Sequence, residues 1–425
     1  MALETVFTMD TSSIKIGRAA TREVGFDLVN LGVKRVMVVT DPNLAQSESV
    51  LVVCAAARAQ GIDVALYDQV RVEPTDQSFK EAIAFAERGH FDGYVAVGGG
   101  SVMDTTKAAN LYATYPADFL DYVNPPIGKG KPVPGRLKPL IAIPTTAGTG
   151  SETTGVAIFD LLEKHVKTGI AHRALRPTLG IIDPDNTRTL PPMIAACSGL
   201  DILSHAVESL TALPYQQRTA AENPTLRPAY QGSNPISDIW TTKAIEIVTK
   251  YLLRAMRDSD DLEAREQLLL AAAFAGIGFG NSGVHLPHGM SYPVAGMVRD
   301  YHPQDYKIDH PMIPHGMSVI LNAPAVFRFT GQANPKRHLY AASLMGVDIR
   351  DAAEADAGII LADAIIALMK NTGMPNGLSA VGYGENDVEA LADGTLPQHR
   401  VTKLSPRPAD KVDLMQLFRD AMHYW

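Results

Sequence analysis

Two side chains four residues apart suggest the first chemistry in this chain. Asp201 and His205 stand in SGLDILSHAVES. On a helix, that spacing places a carboxylate and an imidazole on one face. Together they offer two ligands to a first-row divalent ion, although the pair alone fits an ordinary structural contact as well. Histidines then crowd downstream. His285 and His288 lie in GVHLPHGMSYP, and His302, His310 and His315 lie in DYHPQDYKIDHPMIPHG, in a chain that holds 12 in all. Any two of these five could complete a four-ligand site, and chemistry alone does not choose among them. Cys197, four residues before Asp201, is read as a small buried hydrophobe rather than a soft ligand.

A second kind of chemistry sits earlier. GGGS (98–101) follows the apolar run YVAV and opens SVMDTTKAANLY. Glycines at a strand-to-helix turn let the backbone approach a ligand, and the free N–H groups of the helix start favour an anion such as a pyrophosphate. The motif is not a GxGxxG fingerprint. PTTAGTGSE (144–152) also follows an apolar run and adds the hydroxyls of Thr145, Thr146, Thr149 and Ser151. Two such turns at the carboxyl ends of parallel strands can face one crevice. Asp41 ends an earlier apolar run, RVMVVTD. An acid there can accept from an adenosine ribose and repels a 2′-phosphate, which favours NAD over NADP; a turn or capping role before Pro42 fits equally.

The elements that must hold these groups fall into two textures. Over residues 1–190, short apolar runs (35–41, 62–68, 91–100, 137–146, 178–184) alternate with amphipathic segments such as SFKEAIAFAERG. That pattern predicts a parallel sheet flanked by helices. TGVAIFD and VKTGIAH within 154–172 read as an inserted hairpin. Over residues 191–425 long helical patterns dominate, at 238–258, 261–280 and 351–373, interrupted by a loop rich in Pro, Gly and Asn at 214–235. The expectation is an α/β domain over 1–190 and an α-helical domain over 191–425.

Composition narrows the function classes. The 425 residues suit two domains. A net charge of −8 without a basic tract speaks against nucleic acid. No apolar stretch of about eighteen residues predicts a membrane span. Two distant cysteines, Cys54 and Cys197, make no disulfide framework and fit a reducing compartment. The opening MALETVFTMDTSSIKIG lacks the pattern of a targeting peptide, so the chain is expected to be cytoplasmic.

In order, the GGGS turn, PTTAGTGSE, the Asp-x3-His helix, HGMSYPVAG and the PHG motif resemble the iron-containing, group III alcohol dehydrogenases over nearly the whole chain. The resemblance implies a dehydroquinate synthase-like fold: an α/β dinucleotide-binding domain with a parallel sheet, followed by an all-α metal-binding domain. It implies the metal ligands Asp201, His205, His288 and His315, leaving His285, His302 and His310 aside. It implies NAD and a divalent ion, Fe(2+) first and Zn(2+) as the alternative. The cofactor contacts it implies are Asp41, Gly99, Gly100, Ser101, Asp104, Thr145, Thr146, Thr149 and Lys167. Many members carry a second histidine four residues after the third ligand; this chain has Tyr292, which could serve a proton path or be structural.

Several blocks, among them RPAYQGSNPISDIW, GNSGVHLPHGMSYPVAG and GTLPQHRVTKLSP, resemble the hydroxyacid–oxoacid transhydrogenase branch of that family. The branch oxidises 4-hydroxybutyrate to succinate semialdehyde and reduces 2-oxoglutarate to 2-hydroxyglutarate, and its animal members are mitochondrial. The expected partners are therefore small hydroxy acids, ketoacids, alcohols or aldehydes, with a homo-oligomer allowed. The rivals are an NAD-dependent alcohol dehydrogenase that releases NADH and a lyase on the same scaffold, like dehydroquinate synthase. The lyase family resembles a Glu-His-His metal set, which the Asp-His-His-His set argues against.

Overall fold

The computed structural model describes residues 2–425 other than His165, with the backbone alone at Thr225. The chain divides into two compact units: Asp10–Leu190, and the residues up to Met9 together with Pro191–Trp425.

The first unit is built on β1 (Ser13–Ile16), β2 (Arg35–Val39), β3 (Asp63–Tyr67), β4 (Gly93–Gly98), β5 (Leu140–Pro144) and β8 (Leu179–Ile182), with β6 (Val156–Leu161) and β7 (Val166–Ala171) forming a separate antiparallel hairpin. The helices are α1 (Val24–Asn30), α2 (Glu48–Ala59), α3 (Asp76–Gly89) and α4 (Gly100–Thr114). The six-stranded sheet is parallel, in the order β1-β8-β5-β4-β2-β3. Period-two alternation explains its two covered faces. Val36, Val38, Val95, Val97, Ile141 and Ile143 pack on one side with α1 and α2 residues such as Leu28 and Val53. Met37, Val39, Tyr94, Ala96 and Ala142 pack on the other with Ala82, Val102 and Met103 of α3 and α4. The edge strand β1 has no apolar run to announce it; its four residues are all either exposed or partly buried.

The strand order places a topological switch between β2 and β4. After β2 the chain moves outward to β3, then crosses back to add β4 on the other side of β2. Ligands in open parallel sheets bind beyond the carboxyl ends at such a point. Asp41, just past β2, and Gly99 and Gly100, just past β4, flank it.

The second unit is helical: α5 (Pro192–Thr211), α6 (Pro235–Arg257), α7 (Leu262–Ser282), α8 (Leu286–Gly296), α9 (His315–Ile320), α10 (Ala323–Thr330), α11 (Pro335–Leu344), α12 (Ala357–Asn371), α13 (Val388–Thr395), α14 (His399–Thr402) and α15 (Lys411–Asp420). Local signals start several of them. Pro opens α6 behind an Asn234 cap that accepts from the Ser237 N–H, and the Asp261 side chain accepts from the Ala264 N–H at the start of α7. Helix α5 is buried almost throughout from Ala195 onward and packs against α6, α7 and α9. It is the axis on which the polar groups of the unit are hung. Among the described residues no single helix is long and apolar enough to cross a membrane.

The amino-terminal residues require a correction. Reading 1–190 as one α/β domain included residues up to Met9, but they group with the helical unit. Leu3 pairs with Thr219, Glu4 meets Arg227 at 3.0 Å, and the Thr8 N–H donates to Gln231 Oε1 at 2.9 Å. A short segment without periodicity takes its place from long-range partners, which local pattern does not encode.

Candidate functional site

In the helical unit, four side chains from three helices converge. Asp201 and His205 project from one face of α5, His288 is the third residue of α8, and His315 is the first of α9. One ligand atom from each lies within 4.8 Å of all the others. Asp201 Oδ1 is 3.7 Å from the Nε2 atoms of both His288 and His315. Asp201, His205 and His288 are buried, and His315 is the most exposed member. His285, His302 and His310 lie outside the group.

Neighbours outside the four orient the rings. The Phe279 ring, from α7, stacks on His205 with centroids 3.9 Å apart. Glu208, fully buried and one turn beyond His205, takes the Nδ1–H of His288 on Oε2 at 2.7 Å. Its oxygens also accept the backbone N–H groups of His285 and His288. A carboxylate on one imidazole nitrogen sets the tautomer and leaves the other nitrogen as a lone pair. Glu208 was missed from sequence. The available signal was a carboxylate seven residues after Asp201, on the same face of a helix otherwise apolar.

The donor set fits a divalent cation. Burial pushes the His288 imidazole down to about 3 and His205 well below its ordinary value, so both rings are neutral at pH 7. Their Nε2 atoms stand 3.0 Å apart. A proton on His205 Nε2, or a cation, must separate them. With the proton there, His205 Nδ1 is a buried acceptor with no partner among the described residues. With a cation, Nδ1 carries the proton instead and faces Asp201 Oδ1 at 3.7 Å. One carboxylate and three neutral imidazoles suit a first-row divalent ion.

Glycine lets the helices close on this point. A Cβ on Gly316 of the PHG motif would fall 2.0 Å from the carbonyl oxygen of Cys197 and 2.9 Å from Asp201 Cβ. Backbone contact between α9 and α5 therefore carries His315 to Asp201. Cys197 is buried, and its thiol is pushed up to about 12 chiefly by that burial, so it contributes packing and a carbonyl.

Two further histidines pack behind the site. His285 Nε2 meets the Thr211 hydroxyl at 3.0 Å, and His338 bridges Thr330 and the Asn334 carbonyl. Burial lowers His338 to about 4 and His285 well below the ordinary value. An imidazole lowered in the folded state adds stability that is complete above its unfolded value, about 6.5, and fades as pH falls towards the folded one. The thermal midpoint is therefore expected to drop between pH 7 and pH 4.5, and His338→Gln is expected to shrink the drop. An unchanged pH profile in that variant would remove His338 as its source.

In the α/β unit, the glycine turn and the threonine loop stand together. A Cβ on Gly99 would lie 3.2 Å from Thr146 Oγ1, and one on Gly100 would lie 2.7 Å from Thr149 Cγ2. Helix α4 starts at Gly100 without a side-chain cap, which leaves its N-terminus open to an anion. Ser101 Oγ accepts the Glu73 N–H at 3.1 Å, and Thr145 is buried beside the turn, its N–H on the Gly98 carbonyl. Asp41 is buried, and its carboxylate accepts the Asn43 N–H at 2.9 Å.

Asp104 and Lys167 are both tied to neighbours within the α/β unit. Asp104 accepts the Ser151 hydroxyl at 2.8 Å and the Ile158 N–H at 2.9 Å, while the buried Lys107 donates to that same Ser151 at 2.6 Å. Asp104 thus pins the threonine loop and the hairpin to α4. Lys167 stands on β7 of the hairpin. It is buried between Glu73 at 2.8 Å and Asp160 at 3.1 Å, two carboxylates that hold its ammonium above its ordinary value despite burial.

Tyr292 sits one turn after His288 on α8 and is buried. Its hydroxyl accepts a hydrogen bond from Arg400 Nη2 at 2.6 Å.

Comparison with known proteins follows the same two-part division. The family model described as iron-containing alcohol dehydrogenase matches residues 11–184, and that of the C-terminal part of the Fe-containing alcohol dehydrogenase family matches residues 229–422. The chain is 57% identical over 418 residues to the hydroxyacid-oxoacid transhydrogenase, mitochondrial, of Mus musculus, covering 98% of this chain and 90% of that protein. It is 58% identical, with the same coverage, to the Homo sapiens protein of that name. Among solved structures, 1,3-propanediol oxidoreductase superposes with a TM-score of 0.85 at 28% identity, covering 98% of this chain and 100% of that one. Sulfoacetaldehyde reductase from Bifidobacterium kashiwanohense in complex with NAD+ superposes with a TM-score of 0.79 at 25% identity, covering 99% of each. These names overturn the cytoplasmic expectation, because relatives this similar over nearly the whole chain are named mitochondrial. The physical reason is that targeting segments are read by receptors and removed, so a folded chain carries no trace of its compartment. Free cysteines fit any reducing compartment, not the cytoplasm alone.

Proposed function

The chain belongs to the iron-containing alcohol dehydrogenase family, and from that premise we propose that it is a metal- and NAD-dependent oxidoreductase of CH–OH groups that works as a hydroxyacid–oxoacid transhydrogenase. The observation that carries this reading is the 57–58% identity, nearly end to end, to proteins of that name.

In this reading Asp201, His205, His288 and His315 hold a divalent ion, iron(II) by family, and Glu208 and Phe279 keep two of the imidazoles aimed. The ion, when bound, would supply Lewis acidity toward the hydroxyl or carbonyl oxygen of the substrate. The open N-terminus of α4, with Gly99, Gly100 and Ser101, would hold the NAD pyrophosphate, and the loop of Thr145, Thr146 and Thr149 would supply hydroxyls beside it. Asp104 keeps that loop in place, and Asp41 would accept from the ribose. Burial of three of the four ligands keeps water from competing at the reacting atoms.

A transhydrogenase keeps the reduced cofactor on the protein until an oxoacid takes the hydride back. The second reading is a dehydrogenase that releases NADH each cycle. It is favoured by the solved neighbours, which include the alcohol dehydrogenase from Oenococcus oeni. Purified protein supplied with 4-hydroxybutyrate and 2-oxoglutarate, without added NAD, separates the two. Formation of succinate semialdehyde that needs the oxoacid but no free NAD is expected. Formation that needs free NAD and ignores the oxoacid would establish the dehydrogenase instead.

A further inference from the structure

Both substrate classes in the relatives' name are acids, and every carboxylate needs a partner when it leaves water. None of the residues discussed so far supplies a cation for it. Arg400 of α14 does. Its Nη2 donates to Tyr292 Oη at 2.6 Å, and its guanidinium lies over the Tyr230 ring, 5.0 Å from the centroid. Tyr230 also interacts with the guanidinium, and among the described residues Nη1, buried in the protein, has no hydrogen-bond partner. Among the described residues no carboxylate pairs with Arg400. A half-buried guanidinium with one buried donor unused and no counter-charge is costly unless a ligand completes it.

Two chains of contact tie this cation to the metal ligands. Tyr292 follows His288 by one turn of α8, so the two share a face. On the other side, Tyr230 meets Phe279 edge-on at 6.4 Å, and Phe279 stacks on His205 at 3.9 Å. Helix α14 can approach because residue 289 is glycine: a Cβ there would fall 2.9 Å from Thr402 Cγ2.

We infer that Arg400, steered by Tyr292 and Tyr230, binds the substrate carboxylate remote from the reacting carbon. The inference rests on the hydroxyacid–oxoacid reading and names the residue that selects acids over plain alcohols. It also accounts for two substrates in one site. In 4-hydroxybutyrate, three carbon–carbon bonds separate the hydroxyl-bearing carbon from the carboxylate carbon. In 2-oxoglutarate, three also separate the keto carbon from the far carboxylate carbon. One fixed cation serves both half-reactions. It also gives Tyr292 a role: a phenol oxygen can accept from a guanidinium and fix its orientation.

The test compares 4-hydroxybutyrate with 4-hydroxybutyramide, its neutral counterpart, using the metal-loaded protein with NAD and 2-oxoglutarate. The wild-type protein is expected to favour the acid. Arg400→Gln is expected to lower the acid-to-amide ratio of kcat/KM by roughly 10- to 100-fold, the scale of one hydrogen bond to a charged group. Arg400→Lys should restore part of the ratio. Calorimetric titration of 2-hydroxyglutarate into the NAD-free protein should show a matching loss of affinity in Arg400→Gln. A ratio within about threefold of wild type in Arg400→Gln, with unchanged affinity, overturns the role of Arg400 while leaving the acid reading standing. Should Arg400→Gln fail to fold, the wild-type ratio and Arg400→Lys still decide. A wild-type protein that uses acid and amide alike, or oxidises neither while oxidising simple alcohols, overturns the carboxylate anchor and the acid reading together.

Discussion

Replacing Gly316 by Ala is expected to strip the metal without altering a single ligand. The added Cβ would sit 2.0 Å from the Cys197 carbonyl oxygen, on the backbone of the largely buried α5. A flexible side chain could swing away from such a clash, but a backbone carbonyl cannot. Helix α9 must therefore retreat from α5, and its first residue, His315, retreats with it. Overpacking of this kind costs about 1–3 kcal/mol of stability. The larger effect is on the site, because ligand nitrogens must lie about 2.0–2.1 Å from a zinc-like ion. Metal content after dialysis is the measurement, with Gly384→Ala as control, since a Cβ at that position meets nothing. Full metal occupancy with a wild-type melting temperature in Gly316→Ala would show that α9 does not need this contact.

The second large effect is expected at Glu208, which the four-ligand group does not include. Glu208→Gln keeps the size of the side chain but not its acceptors. In the native arrangement both oxygens are used by three donors: the His285 N–H, the His288 N–H and His288 Nδ1–H. A glutamine presents one oxygen and one NH2 group, so an N–H is turned against an N–H. Either the start of α8 or the His288 ring loses its hold. Substitution of such an outer partner lowers metal affinity by about 10- to 100-fold. Competition with a chelator of known affinity measures this directly and does not depend on turnover. An affinity equal to wild type would mean that packing alone orients His288.

These two positions mark where local reading stops. Along α5, sequence was sufficient: the Asp201–His205 spacing predicts a shared face because helical geometry repeats every turn. The same is true of the glycine turn after β4, where an apolar run, three glycines and a helix start suffice to suggest an anion site. Alternation between apolar runs and amphipathic segments was enough for a parallel sheet, since buried strands cannot hide their composition. It did not reveal β1, whose exposed edge residues carry no such signature.

Everything that depends on distant segments meeting was decided by the tertiary structure. His285 and His288 are three residues apart and chemically equivalent, yet one turns to Thr211 and the other to Asp201. Only the path of α8 past α5 distinguishes them. Resemblance singles out His288 and His315; in the structure Glu208 holds the first ring, and the missing side chain of Gly316 lets the second approach Asp201. Lys167 stands on the hairpin yet is buried between two carboxylates, one of them far away in sequence. The Asp-x3-His pair was visible because its partners lie one helical turn apart. The rest of the site was not, because its partners are separated by scores of residues, and no local periodicity spans that distance.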